Sequence, residues 1–172
     1  MNMLLAIISF LVIAVYTAAV CVKQGGVPNS ISATFYKLEH KAWFMATMWL
    51  TAGLLMPAIM EVSTENSQFL AFLACTGMFL VGAAPNFWEE FEGDIHELGA
   101  MICIVGSQLW VMLNCPWCLM AWAAYVVYTI VMMPRHVSDS IVSDFLWTRP
   151  VFWVEISALL ATYMSVFWGE RQ

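Results

Sequence analysis

Charge is what this chain has least of. Asp, Glu, Lys and Arg make up 10% of its 172 residues, and only six residues are Lys or Arg. So few scattered cations provide no basic surface for a phosphate backbone, which excludes nucleic-acid binding. Between Leu98 and Met133 there is no charged residue at all. Internal repeats and low-complexity segments are absent, and the links between apolar runs are short, leaving no room for a soluble domain. Metal motifs of the H-x-x-x-H or H-E-x-x-H kind are absent as well.

What the chain has instead is apolar bulk. Hydrophobic residues make up 62%, with nine Trp and thirteen Met, and mean hydropathy is +0.79. That composition lies far outside the soluble range. Six apolar segments run from about Met3 to Val22, Ala42 to Met60, Phe69 to Ala84, Leu98 to Leu113, Cys115 to Met133 and Pro150 to Trp168. A membrane span needs about 17 to 25 such residues, so the third and fourth must draw on their flanks. Asn114 and Pro116 divide the long uncharged run with a tight turn. The expected fold is an all-α integral membrane protein, one transmembrane domain over residues 1–172 built as a six-helix bundle. The first segment has no basic leader, and Val20 before Cys21 does not suit a lipoprotein cleavage site, so it reads as a retained helix. Lys23, Lys37, Lys41, Arg135 and Arg149 all fall on the first, third and fifth links or at their edges, whereas Arg171 lies near the C-terminus. The positive-inside rule then places those odd links in the cytoplasm and both termini outside, in a plasma or inner membrane.

The histidines share that side. His40, His96 and His136 lie on or beside odd links, together with most of the carboxylates. The densest patch is EEFEGDIHELGAMI, residues 89–102, with five carboxylates and one histidine in its first nine positions. Asp94 with Glu97 three residues on reads as a capping box, which stabilises a helix start without any chemistry. Glu89, Glu90 and Glu92 read as solvated. His96 has no capping duty. In the helix that follows, Ile95, Leu98, Ile102, Val105, Leu109 and Met112 form a bulky stripe suited to lipid. His96, Gly99, Ala100, Cys103, Ser107 and Trp110 form a face that should point into the bundle, because small residues let membrane helices approach.

Glu155 sits about five residues into the last segment, roughly 7 to 8 Å deep at 1.5 Å per residue. A carboxylate inside a span is expensive and marks a functional site by default. His96, Glu155 and Asp94 are therefore the candidate acid–base residues, expected around a polar pocket on the odd-link side. Ser30, Ser32, Tyr36, Arg135 and His136 are candidates for holding a lipid headgroup. His40, His96 and His136 could together bind a divalent metal such as Zn²⁺. The plainer alternatives are a structural His–Glu pair, an interfacial first link, and a solvated fifth link.

NCPWC, residues 114–118, offers a different chemistry. Cys115 and Cys118 have redox spacing, and Pro116 suits the first turn of a helix. Quinone-linked thiol oxidoreductases of the DsbB and vitamin K epoxide reductase type are similar in being small bundles with such a pair at the membrane boundary. This chain departs from them, since Cys21, Cys75 and Cys103 are single and form no shuttling pair. The alternative is a tight turn whose cysteines pack as small residues.

VPNSIS (27–32) and DIHELGA (94–100) resemble the Frag1/DRAM and DUF998 families of six-helix membrane proteins. The resemblance implies the same architecture and draws attention to Ser30, Ser32, Asp94 and His96. The functional expectation is a lipid- or headgroup-handling enzyme among membrane lipids. The alternatives are a thiol oxidoreductase, or a non-enzymatic subunit, transporter or channel component acting as a homo-oligomer or with a membrane partner.

Overall fold

The computed structural model describes residues 2–32, 34, 41–87, 89–136 and 138–169, without the side chains of Glu89 and Glu90. Tyr36 and His40 lie outside the described residues. Among the described residues seven α-helices follow in order: α1 Asn2–Gln24, α2 Lys41–Glu61, α3 Gln68–Ala83, α4 Glu89–Asn114, α5 Ala121–Met132, α6 Ile141–Trp147 and α7 Pro150–Gly169. All but α6 are long and apolar enough, counting short 3-10 extensions of α3 and α5, to cross a membrane. The chain is thus an all-α integral membrane protein with six transmembrane helices. The two short apolar runs reach spanning length as expected from their flanks: α3 continues through Ala84–Asn86, and α4 begins at Glu89. The unexpected element is α6, one short helix inside the fifth link.

Five helices close a ring. α1 packs on α2, α2 on α3, α3 on α4, α4 on α7, and α7 back on α1. α5 stands outside it against α7 and contributes no buried residue. The tightest seam is α3 on α4. A methyl group added at Gly77 would come within 2.4 Å of the Cys103 backbone nitrogen, so only glycine permits this approach. The α4 faces fall as the spacing predicts. Leu98, Val105, Leu109 and Met112 are exposed, whereas His96, Gly99, Ser107 and Trp110 are buried. Polar clasps tie the ring together. The Ser9 hydroxyl donates to the Thr51 carbonyl at 2.7 Å and pairs with the Tyr163 hydroxyl at 2.6 Å, joining α1, α2 and α7. Such interhelical bonds contribute about 0.6–2 kcal/mol each in a membrane.

The acidic patch departs from its expected form. Because α4 already runs from Glu89, Asp94 and Glu97 lie inside the helix and do not cap it. A glycine inside a helix costs about 1 kcal/mol, which Gly93 alone cannot turn into a helix boundary. Glu92 offsets that cost. It is buried, not solvated, and accepts a hydrogen bond from Lys41 Nζ at 3.0 Å. Charge-assisted bonds are worth about 1.5–3 kcal/mol, toward the low end here because Lys41 is half exposed.

Candidate functional site

The site forms where the first link crosses the end of the ring. α1 ends in a Schellman turn: Gly26 N–H donates to the Cys21 carbonyl at 3.0 Å and Gly25 N–H to Val22 at 3.1 Å. Gly25 takes the left-handed conformation this turn requires, with φ of 66°. The chain is thereby redirected toward the start of α7. There the Phe152 N–H, one of the helix-end donors without an intrahelical acceptor, donates to the Asn29 carbonyl at 3.1 Å. The Arg149 guanidinium donates to Asn29 Oδ1. Arg149 itself is held at φ 58°, a conformation unusual for a residue with a side chain, at the corner between α6 and α7.

Anchored at Asn29, the next three residues all reach Glu155. Its Oε1 accepts from the Ser30 hydroxyl at 2.9 Å, from the Ser32 N–H at 3.3 Å and from the Ser32 hydroxyl. Its Oε2 accepts from the Ile31 N–H at 2.5 Å. Glu155 is 9% exposed. Burying an ionised carboxyl costs several kcal/mol, and four donors at roughly 1–3 kcal/mol each are enough to offset that. The partner demanded by an intramembrane carboxyl is therefore the first link itself.

His96 joins through Ser32. Its Nε2 lies 3.1 Å from the Ser32 hydroxyl oxygen, and the ring is 7% exposed. A hydroxyl carries one proton. When Ser32 donates that proton to Glu155, it can only accept from His96, so Nε2 carries hydrogen. When Ser32 donates to His96 instead, its oxygen can accept from a protonated Glu155. With Nδ1 also carrying hydrogen, the first arrangement pairs an imidazolium with a carboxylate and the second a neutral imidazole with a carboxylic acid, so the two differ by one proton moved from His96 to Glu155 through Ser32. This is acid–base geometry. It is less suited to acyl transfer, because the nearby Ile31 and Ser32 N–H groups that could hold an oxyanion already donate to Glu155.

Ser32 and Glu155 also face a cavity of about 80 Å³ in the middle of the ring. Its walls are almost entirely apolar, including Met48, Leu55, Ile59, Met78 and Leu159. Sequence reasoning reached Ser30, Ser32, His96 and Glu155 as residues but not this cavity, which exists only once five helices enclose it.

The other candidates lie elsewhere. Asp94 is exposed on a different side of α4 from His96. His136 turns to the fifth link. Its Nδ1 pairs with Asp144 Oδ1 at 3.1 Å and its ring stacks on Trp147 at 5.1 Å. Hydrogen bonds from Ser138 first, whose N–H donates to Oδ1 at 2.9 Å, and then from His136 hold the Asp144 carboxyl below its ordinary pKa. Arg135 closes the 3-10 turn just before His136. Among the described residues, no three His, Cys, Asp or Glu side chains converge on a point that could hold a metal ion. At the opposite end of the bundle, Cys115 precedes the 3-10 turn Pro116–Met120 and Cys118 lies within it, both free, buried thiols with their sulfurs 3.4 Å apart. Lys41 with Glu92 was missed; the signal available was that Glu92 precedes His96 by four residues and so shares its face.

No family model, curated protein or solved structure matches the chain.

Proposed function

We propose that this protein is a lipid-handling membrane enzyme, with its acid–base site at the head of an aliphatic-chain pocket. His96 and Glu155 exchange a proton through Ser32, and the apolar cavity receives the hydrocarbon part of an amphipathic molecule. The observation that carries the reading is the double bonding of Ser32 at the cavity head: one hydroxyl between a buried imidazole and a buried carboxyl, facing an apolar cavity. A void of this size is several times what one water requires, yet its walls offer water few partners. An aliphatic chain would restore the dispersion contacts that an empty cavity forfeits.

Solvent extraction of the protein purified in lipid nanodiscs, followed by mass spectrometry, tests this. The wild type should retain a single-chain amphiphile in near-stoichiometric amount. Ala158→Phe, which fills the cavity wall, should lower that amount about tenfold, equivalent to 1.4 kcal/mol. Ser32→Ala and His96→Gln should leave retention largely intact and raise the ratio of retained molecule to its converted product. Identical extracts from all four proteins would sink the reading.

The 3.4 Å contact of Cys115 and Cys118 supports a second reading, as a thiol pair open to oxidation. Alkylation in native membranes before and after treatment with a quinone decides it; thiols that remain free after the oxidant exclude that role.

A further inference from the structure

The cavity's polar atoms are unevenly placed, and this restricts what its head can accept. Deep in the cavity, the Thr162 hydroxyl donates to the Ala158 carbonyl at 2.8 Å, and the Ser107 hydroxyl donates to Ile104 at 3.0 Å. Both protons are spent within their own helices. At the head, Glu155 receives at least one backbone N–H on each oxygen, so both oxygens act as acceptors. Among the described residues, no Lys or Arg lines the cavity. The neighbouring cations are engaged elsewhere: Lys41 pairs with Glu92, and Arg149 donates to Asn29. At 1.5 Å per residue the lining extends about 16 Å along α2, from Met48 to Ile59, and about 10 Å along α3, α4 and α7.

With Glu155 ionised and His96 neutral, an incoming head would meet carboxyl oxygens with no counter-cation, in a low-dielectric setting. A carboxylate or phosphate head would be repelled there. A hydroxyl or ammonium head would donate to Glu155 or Ser32. Building on the reading that the cavity holds an aliphatic chain, we infer that it selects single-chain amphiphiles with a neutral or cationic hydrogen-bond-donating head, a long-chain alcohol or amine, and rejects fatty-acid and phosphate heads.

Four radiolabelled probes of equal chain length test the selection: tetradecanol, tetradecylamine, tetradecanoate and tetradecyl phosphate. Retention by nanodiscs holding the full-length protein is compared with that by empty nanodiscs at about pH 9, where a carboxylic head is ionised and an amine still largely protonated. The alcohol, the amine or both should exceed the two anions by at least about tenfold. In Glu155→Gln the amine should lose retention more than the alcohol, which separates a charge preference from hydrogen bonding alone. Wild-type selectivity decides the matter even if that variant folds poorly. Equal or stronger retention of the anions, still abolished by Ala158→Phe, would overturn the head assignment while leaving the chain pocket standing. Failure of all four probes to exceed empty nanodiscs would overturn both.

Discussion

The two ends of the bundle solve one problem with different chemistry. At each end a link must be fastened to the helices, and at each end one polar side chain does most of it. At the even-link end that residue is Asn114. Its Oδ1 accepts from the Thr64 N–H at 3.1 Å and from the Ser67 hydroxyl at 3.1 Å, and its Nδ2 donates to Trp110 at 2.8 Å. Trp110, fully buried, donates from its indole to Ser63 at 2.7 Å. An amide both donates and accepts, so it can close a joint without charge. At the odd-link end the residue is Glu155, which accepts from three consecutive residues of the first link, beside a histidine and a cavity. Fastening alone does not require a carboxyl, as Asn114 demonstrates. A buried carboxyl joined through one hydroxyl to a buried imidazole, next to open space, is what distinguishes a site from a joint.

Substitutions at the two ends test this contrast directly. Glu155→Ala should have the largest effect, about 3–5 kcal/mol, because it leaves several buried donors without an acceptor. Thermal unfolding in detergent measures it. Asn114→Ala should cost less, about 1–3 kcal/mol, since neutral groups are easier to leave unpaired or to rehydrate near the membrane surface. The reverse order would break the comparison. Trp110→Phe removes one hydrogen bond while keeping an aromatic ring in place, and should cost about 1 kcal/mol plus a packing defect. It should not alter retention of any amphiphile, whereas His96→Gln should alter turnover with a smaller effect on unfolding.

The smallest effect separates the two described histidines. His136 belongs to an open link, and its partner Asp144 has a depressed pKa. A depressed carboxyl pKa contributes stability above the ordinary aspartate value, near 4, and loses it as pH falls through the folded value. Acidification below about pH 4 should therefore loosen the link around Ser138 and Asp144. In an NMR titration the Asp144 carboxyl carbon should show a midpoint below that of ordinary aspartate, and His136→Ala should move it upward. An ordinary midpoint would remove the pair from the account.

Much of this arrangement was legible beforehand, for local reasons. The six spans follow from runs of apolar residues, and the inward face of α4 follows from helical spacing, which put His96, Gly99, Ser107 and Trp110 together before any packing was known. Glu155 stood out because a carboxyl within a span must find a partner. Which partner was not legible: Ser32 and Glu155 are 123 residues apart, and nothing in either segment records the other. Asp94 and Glu97 matched a capping pattern, but the pattern competes with helix continuation, and the inward turn of Glu92 to Lys41 decided in favour of the helix. The α6 helix was missed because seven residues are too few for a period to register.

By itself, then, the sequence determined the solvent this protein lives in, the number of its spans and the side of α4 that turns into the bundle. All three depend on the order of apolar and polar residues along a single helix. The tertiary structure decided that Ser32 stands between His96 and Glu155, that α7 packs back on α1 to close the ring, and that a cavity lies within it. Those features need helices distant in sequence to meet at hydrogen-bonding distance, and that meeting is set by how closely their small faces can pack.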